Sequence, residues 1–284
     1  MQGIFWWAYF FPEYWTSFVA KAPHMATALI TGASNGIGLE LSKIFARQGN
    51  DLVLVARSVD KLQTLKSDIS HQYPNLKVHI MAKDLSLADA AQEVYEELKA
   101  MQISIDYLVN NAGFGDFGFF TETSWAKEQQ MIDLNITALT QFTKLFARDM
   151  VKQRSGKIMN VASTAAFQPG PLMAVYFATK AYVLHLSEAV NNEVKDAGVS
   201  VTALCPGPTE SGFVAAASMD DSGLIKGRKL PTSKTVAEYG YKAMMKGKAV
   251  AIHGTLNYIM ANAARLTPRN WVVAIARKLQ GGNL

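Results

Sequence analysis

Short apolar runs alternate with longer amphipathic segments along most of the chain. The runs TALIT, LVLVA, KVHIMA, IDYLVN, KIMNVA, SVTALC and AVAIH are five or six residues long and carry many β-branched side chains, as is typical of buried strands. The segments between them repeat apolar positions every three or four residues, which predicts helices. Strands that alternate with helices form parallel βαβ units. We therefore predict an α/β fold with a doubly wound sheet of about seven parallel strands and helices on both faces.

Composition divides the chain into three parts. Residues 25–255 carry the alternating pattern and predict one domain, in which residues 206–232 are a long irregular stretch that we expect to form a substrate lid. Residues 1–24 hold nine aromatic side chains, and because Met25 opens a second plausible start, we interpret them as an appended tag, an upstream start or an interfacial anchor. Residues 256–284 predict a basic helical tail.

Charge is distributed unevenly along the chain, whose formal net charge is +5. After Asp221 the sequence contains one acid, Glu238, and eleven lysines and arginines. No nucleic-acid-binding motif accompanies these cations, so we expect no nucleic-acid partner. A solvated face is the first interpretation, and peripheral contact with anionic lipid or with a phosphorylated ligand is the alternative.

Cysteine and histidine usage excludes two further classes of site. The single cysteine, Cys205, rules out an internal disulfide, and the five histidines show no metal-ligand spacing. We therefore expect no metal and a cytoplasmic location.

The first predicted strand runs directly into a glycine-rich turn, TGASNGIG, which opens a helix. Missing side chains let backbone N–H groups and the helix N-terminus approach a pyrophosphate, as in Rossmann-like folds. The turn therefore predicts a dinucleotide site formed by Gly32, Ser34, Asn35, Gly36, Ile37 and Gly38.

The same turn also fits the nucleophile elbow Gly-x-Ser-x-Gly, with Ser34 as the nucleophile. Asp220 or Asp221 followed by His253 would preserve the chain order of an α/β-hydrolase triad. Against this interpretation, the elbow would end the first strand instead of a later one, and no oxyanion loop precedes it. A serine esterase is therefore the least favoured alternative.

Residues after the second and third strands bear on which dinucleotide binds. Ala56 occupies the position where NAD-selective folds usually carry a carboxylate, and Arg57 follows it. An arginine there can pair with a 2′-phosphate through charge-assisted hydrogen bonds. Asp84, after the third strand, can accept a hydrogen bond from an adenine amino group. We therefore predict NADP(H) in preference to NAD(H).

A tyrosine and a lysine share one face of the helix that contains AVYFATKAYV. Tyr176 and Lys180 lie about 40° apart on the helix, whereas Tyr182 lies on another face. To act as an acid or base near pH 7, a phenol with a pKa of about 10 needs its ionised form stabilised by roughly 4 kcal/mol. We expect the Lys180 cation to supply this stabilisation and so to lower the tyrosine pKa. Ser163 ends the fifth strand, where it can hold a substrate oxygen. We expect Asn135 to bend its helix and carry a water for proton relay.

These motifs together resemble the short-chain dehydrogenase/reductase family in its single-domain form. TGASNGIG is similar to the family's cofactor turn, NNAG at 110–113 to its fourth-strand motif, and PGPTES at 206–211 to its turn after the sixth strand. The catalytic tetrad of the family matches Asn135, Ser163, Tyr176 and Lys180.

The resemblance implies reversible hydride transfer between a nicotinamide and a carbonyl or alcohol, catalysed by residues 25–255 with Tyr176 as the general acid/base. It also implies that the cofactor contacts Leu85, Asn111, Tyr176, Lys180 and Thr209. Members of the family commonly assemble as homodimers or homotetramers, so the same is expected here.

Apolar residues surround the expected crevice, namely Phe114, Phe117, Phe119, Phe120, Phe167, Leu172, Met173 and Phe213. They favour a hydrophobic ketone, aldehyde or secondary alcohol over a sugar, as in a carbonyl reductase. An NADP-binding regulatory protein without turnover is the second alternative. The intact set of Ser163, Tyr176 and Lys180 argues against it.

Overall fold

The computed structural model describes residues 25–210 and 230–281. The aromatic segment 1–24 and most of the expected lid, including Phe213, lie outside these ranges. Within them, strands and helices alternate as the sequence predicts. In chain order the elements are β1 Thr27–Thr31, α1 Gly36–Arg47, β2 Asp51–Ala56, α2 Val59–Gln72, β3 Val78–Ala82, α3 Ala90–Ala100, β4 Tyr107–Asn110, α4 Trp125–Ile132, α5 Leu139–Gln153, β5 Gly156–Val161, α6 Ala174–Val194, β6 Val199–Cys205, α7 Ser233–Met245, β7 Val250–Ile252, α8 Thr255–Leu266 and α9 Arg269–Leu279.

The seven strands pair in parallel in the order β3-β2-β1-β4-β5-β6-β7. This confirms the predicted doubly wound sheet. The strand order reverses between β1 and β4, so the connections after these two strands leave in opposite directions. Such a reversal leaves a crevice at the carboxyl ends of the strands, where ligands bind in this class of fold.

Helices cover both faces of the sheet. Successive strand residues point to opposite faces, so each strand contributes apolar side chains to the cores on both sides. Ile30 contributes to the core shared with α1, α2 and α7, and its neighbour Leu29 to the core shared with α3 and α5. Both side chains are fully buried. Phe45 fills the first core and Phe142 the second. Burial on both faces explains why the strands are continuous apolar runs in the sequence.

A π-helical turn, Asp133–Ala138, separates α4 from α5 in what is otherwise one continuous helical stretch. Asn135 lies in this turn and is fully buried. The tail predicted to be helical from about 256 to 280 forms two helices, α8 and α9. The break falls at Pro268, which has no N–H and disfavours the helical conformation at Thr267 before it.

Candidate active site

A cleft of about 720 Å³ opens along the carboxyl edge of the sheet, across the reversal between β1 and β4. One half of its wall comes from the glycine turn and the loops after β2 and β3. The other half comes from the loops after β4, β5 and β6, from α6, and from the two C-terminal helices. The cleft therefore joins the predicted cofactor residues to the predicted catalytic ones.

The glycine turn packs its backbone tightly against the end of β4. Gly32 and Gly36 have φ angles of +66° and +55°, in the left-handed region that favours glycine. A Cβ atom at Gly32 would lie 2.8 Å from Nδ2 of Asn111, and one at Gly38 would overlap the carbonyl oxygen of Gly32. Asn35 caps α1, since its Oδ1 accepts from the N–H of Gly36 at 2.9 Å. The result is an exposed helix N-terminus beside bare backbone, which suits a phosphate group.

The predicted cofactor residues line the cleft, with one exception. Gly32, Ser34, Asn35, Gly36, Ile37, Arg57, Asp84, Leu85, Asn111, Tyr176, Lys180 and Thr209 line the cleft. Gly38 does not line the cleft. It lies behind the turn, where the absence of a side chain lets α1 pack closely against Gly32, so its role in this structure is in packing.

Asn111 holds the glycine turn to the end of β4. Its Nδ2 donates to the carbonyl oxygens of Thr31 and Gly32, at 3.0 and 3.2 Å. In return, Oγ1 of Thr31 accepts from the N–H groups of Asn111 and Ala112, both at 3.0 Å. These bonds cross the β1–β4 reversal and tie the ends of the two strands together.

The far end of the cleft combines an anionic and a cationic side chain. Asp84 accepts from N–H and Oγ of Ser86, at 3.0 and 2.7 Å. Burial alone would raise the pKa of Asp84, but the hydrogen bonds from Ser86 and the charge of Arg57 outweigh it and hold this pKa below its usual value. The carboxylate is therefore ionised at neutral pH and can accept hydrogen bonds.

Two lysines at this end were missed by the sequence reasoning. Lys61 and Lys83 line the cleft beside Arg57. Lys83 donates to Glu93 at 2.8 Å, which offsets its charge. Lys61 lies in the first turn of α2, four residues after Arg57 in the preceding loop, and a cation in that turn is the signal that would have found it.

Ser163, Tyr176 and Lys180 converge at the middle of the cleft. All three are buried, and a side-chain hydrogen bond joins Ser163 to Tyr176. Nζ of Lys180 donates to the carbonyl oxygen of Val161 at 2.9 Å and lies 5.8 Å from the centroid of the Tyr176 ring. Ser163 also caps the short 3₁₀ helix Thr164–Phe167, which fixes its orientation. The hydroxyl groups of Ser163 and Tyr176 and the ammonium group of Lys180 therefore face the same part of the cleft.

Burial has the largest effect on the pKa values of Tyr176 and Lys180. It raises the pKa of Tyr176 to about 12, although the hydrogen bond with Ser163 acts in the opposite direction. It also lowers the pKa of Lys180 to about 8, against the opposing influence of Cys205. The expectation that the tyrosine pKa would lie below its usual value is therefore wrong for this structure, because burial outweighs any stabilisation of the phenolate by Lys180.

Asn135 lies in the π-helical turn, as its predicted bending of the helix requires, but its side chain does not line the cleft, and its part in carrying a water stays a prediction. Its Nδ2 donates to the carbonyl oxygen of Phe114 at 3.0 Å and to Oγ1 of Thr179 at 3.1 Å. Its Oδ1 accepts from the N–H of Phe114 at 3.2 Å. The side chain is engaged in holding the loop after β4 against α6, so it positions the wall of the cleft.

The sheet order excludes the esterase triad. Ser34 follows β1, and His253 follows β7, which lies four strands away. At about 4.8 Å per strand the two residues are roughly 19 Å apart, too far for a hydrogen bond. His253 packs on the ring of Tyr239 and does not line the cleft. Asp220 and Asp221 lie outside the described residues.

The half of the cleft beyond Ser163 is mainly apolar. Phe114 and Met173 line it as predicted, and Phe177 joins them. Phe119 and Phe120 are exposed, and Phe167 packs into a core with Ala162 and Val183.

The C-terminal helices complete this wall, which the sequence reasoning did not foresee. They contribute Leu256, Asn257, Met260, Ala261, Ala276, Leu279 and Gln280. In the described part of the chain, no helix combines the length and apolar character needed to cross a bilayer.

Comparison with known proteins shows which family the chain resembles. A family model described as short chain dehydrogenase matches residues 26–222. 17-beta-hydroxysteroid dehydrogenase type 3 of Mus musculus is 37% identical over 182 residues, which cover 63% of this chain and 58% of that protein. The very-long-chain 3-oxoacyl-CoA reductase of Rattus norvegicus is 30% identical over 252 residues, which cover 86% of this chain and 76% of that protein. The chain thus spans less than two thirds of the length of the mouse relative.

Solved structures agree with this comparison. A short-chain dehydrogenase from Sphingobium yanoikuyae in complex with NADPH has a TM-score of 0.76 and 31% identity, covering 85% of this chain and 94% of that one. The bulky-bulky ketone specific alcohol dehydrogenase from Comamonas testosteroni has a TM-score of 0.73 and 29% identity, covering 85% and 92%. Because the family model matches more than half of the sequence and the fold agrees, the chain belongs to the short-chain dehydrogenase family.

Proposed function

We propose that the protein is an NADP(H)-dependent oxidoreductase that transfers a hydride between the nicotinamide and a hydrophobic ketone, aldehyde or secondary alcohol. The observation that carries the proposal is the convergence of Ser163, Tyr176 and Lys180 on a cleft whose other half is a glycine cradle at a helix N-terminus. Relatives named for hydroxysteroids and 3-oxoacyl-CoA support the reaction class.

Tyr176 is proposed as the general acid/base. Since burial raises its pKa to about 12, the phenol is protonated at neutral pH and can donate its proton to a carbonyl oxygen. Ser163, which is hydrogen-bonded to Tyr176, would orient the same oxygen. The protonated phenol is the form that carbonyl reduction requires.

The cleft fits a dinucleotide. The N-terminus of α1 and the bare backbone at Gly32 and Gly36 suit the pyrophosphate. A bound nicotinamide supplies or accepts the hydride. Lys180 uses one of its three donors on Val161, which leaves donors for hydroxyl groups of the cofactor ribose.

The proposed NADP(H) preference depends on Arg57, with Lys61 beside it. Replacing Arg57 by leucine should raise the Kd for NADPH roughly 10- to 100-fold, because hydrogen bonds to a charged group contribute about 1.5–3 kcal/mol. The Kd for NADH, which lacks the 2′-phosphate, should stay within about twofold. Fluorescence titration with both nucleotides measures the difference.

Arg47→Leu is the matched control for this titration, since Arg47 is an exposed arginine at the end of α1 and does not line the cleft. It should leave both Kd values unchanged. Equal weakening of NADPH and NADH by Arg57→Leu would contradict a 2′-phosphate contact, and tighter binding of NADH by the unaltered protein would contradict the preference itself.

The substrate class follows from the apolar wall that Phe114, Met173 and Phe177 form with α8 and α9. Turnover of NADPH should be measured with a panel that contains bulky apolar ketones, 3-oxoacyl thioesters, short aldehydes and sugars. Bulky apolar carbonyls should give the highest kcat/KM. A preference for sugars would refute the substrate class. Tight NADPH binding without turnover of any carbonyl would favour a regulatory protein.

A homodimer or homotetramer, expected from the family, belongs to the same proposal. Light scattering of the full chain tests it, and a monomeric mass at assay concentration would refute it.

A further inference from the structure

Large apolar side chains that face solvent are concentrated on α8 and α9. Leu266 is 91% exposed, Trp271 67% and Leu256 66%. Single exposed apolar residues are ordinary on protein surfaces, but a cluster on adjacent helices marks an interaction site. We call this cluster the tail surface, and it consists of Leu256, Tyr258, Ile259, Met260, Leu266, Trp271, Val273 and Ile275.

The charged side chains on α8 and α9 themselves have one sign. Arg265, Arg269 and Lys278 are exposed on the same two helices. The sequence contains no aspartate or glutamate after Glu238. If a second copy of the chain bound here, these cations would face the same cations of that copy. An anionic lipid surface instead offers phosphate groups to the cations and an apolar interior to the exposed side chains.

The tail surface is continuous with the cleft. Leu256 and Met260 are exposed and also line the cleft, and Ala261 beside them packs on Ala162 and Ala166 next to Ser163. The mouth of the cleft therefore opens at the edge of the tail surface. An apolar molecule dissolved in a bilayer would reach the cleft there without crossing water.

We propose that the tail surface docks on anionic lipid bilayers and that apolar substrates enter the cleft from the bilayer. The docking step depends only on the surface itself. The entry step rests on the proposed function.

Vesicle sedimentation of the full chain tests the docking. Vesicles of phosphatidylcholine alone are compared with vesicles that also contain phosphatidylserine. The unaltered protein should bind the anionic vesicles preferentially and release in high salt. Leu266→Glu and Trp271→Glu should each weaken binding roughly tenfold, since each removes an inserting side chain and adds a charge of the lipid's sign.

Met101→Glu is the matched control, because Met101 is also an exposed apolar residue but follows α3, away from the tail surface. It should bind vesicles as the unaltered protein does. Equal binding by all four proteins would overturn the proposal and direct attention to residues 1–24, and no binding by the unaltered protein would overturn it outright. A changed mass in light scattering for Leu266→Glu with unchanged vesicle binding would make the surface a subunit interface instead.

Turnover of a water-soluble ketone without vesicles separates the two proposals. Leu266 and Trp271 do not line the cleft, so both variants should keep this turnover. If the unaltered protein does not turn over this ketone, the proposed function is contradicted and the docking proposal is not affected.

A different observation concerns Gln280, at the end of α9. Its side chain is 2% exposed and lines the cleft, yet its buried Oε1 has no hydrogen-bond partner among the described residues. A buried polar group without a partner is costly, so a native structure that keeps one usually pairs it with a ligand or water. We infer that Gln280 binds a hydroxyl group of the substrate remote from the reacting carbonyl. A hydroxyl can pair with either atom of a carboxamide.

Gln280→Leu tests this inference with two ketones of one carbon skeleton, with and without a remote hydroxyl. The inference rests on the proposed function. The variant should lower kcat/KM for the hydroxyketone roughly 5- to 15-fold and change that of the plain ketone less than about twofold. Equal losses of kcat/KM for the two ketones would show that Gln280 has only a structural role, which would overturn the inference. No loss for either ketone would overturn it as well.

If the unaltered protein turns over neither ketone, the proposed function fails and calorimetry decides the Gln280 inference. The hydroxyketone should then bind more weakly to Gln280→Leu than to the unaltered protein, and equal Kd values would overturn it.

Discussion

Replacing Tyr176 by phenylalanine is expected to lower kcat for carbonyl reduction by about 10²- to 10⁴-fold, the range that a single general acid contributes. The variant keeps the ring that packs against Phe177 and loses the hydroxyl that is hydrogen-bonded to Ser163. Binding of NADPH should change little, because the phosphate end of the cleft is untouched. Steady-state kinetics with the best ketone of the panel, together with a nucleotide titration, measure both effects.

Tyr182→Phe is the control built into the same helix. Its hydroxyl bonds to Oγ1 of Thr140 at 3.0 Å, on the side of α6 that faces α5. Tyr182 is 39% exposed and does not line the cleft, so kcat should be unchanged. Retention of full activity by Tyr176→Phe would remove the proposed acid/base role. Equal losses in both variants would point to a folding defect, which thermal unfolding would reveal.

Replacing Lys180 by methionine should lower kcat roughly 10²-fold. A cation 5.8 Å from the phenol ring stabilises developing negative charge by about 3 kcal/mol at an effective dielectric of about 20. This stabilisation operates at neutral pH, where Lys180 is still protonated and the proton is leaving Tyr176. Since the lysine pKa is about 8, kcat of the unaltered enzyme should fall as pH rises through 8. The pH profile of Lys180→Met should lack this fall.

Lys195→Met, at the exposed end of the same segment, should keep both kcat and its pH dependence. A profile that falls through pH 8 in Lys180→Met as well would assign the titration to another group.

The same substitution has a consequence for stability, whose sign follows from the direction of the shift. The pKa of Lys180 is about 8 in the folded chain and 10.5 for an ordinary lysine, so between these values the unfolded state binds the extra proton. Stability due to Lys180 is therefore complete above pH 10.5 and is lost as pH falls through 8. From pH 7 to pH 9, the free energy of unfolding of the unaltered protein should rise by roughly 1 kcal/mol relative to Lys180→Met.

Urea titrations of both proteins at pH 7 and pH 9 measure this difference. Cys205, whose pKa burial raises to about 12, has the opposite effect above pH 9 but is present in both proteins and cancels. A constant difference between the two proteins would show that Lys180 keeps its proton in the folded chain over this whole range, which would contradict the lowered pKa.

Local sequence patterns predict much of the site because they depend on one strand or one helix at a time. The turn with Gly32 and Gly36 needs only the end of β1 and the start of α1. Tyr176 and Lys180 share a helix face by their spacing alone. Lys61 could have been added from local sequence too, since it lies in the first turn of α2, just after Arg57.

Residues whose surroundings come from distant segments were harder to predict. The partners of the Asn135 amide, Phe114 and Thr179, lie far from it in sequence and could not be predicted from its own helix. The tyrosine pKa was expected to fall, but the desolvation of Tyr176 depends on how completely the surrounding chain covers it. Neither hydrogen-bond partners across the fold nor solvent exclusion is written in the spacing of residues along one helix.

By itself, the sequence determined the doubly wound sheet, the glycine turn and the pairing of Tyr176 with Lys180, because hydrophobic periodicity and helical geometry are local properties. Only the tertiary structure decided that His253 lies four strands from Ser34, and that α8 and α9 fold back over the cleft with Gln280 inside it. The physical reason is that strand order and helix docking depend on which apolar faces cover one another, and periodicity shows that such faces exist without showing which of them meet.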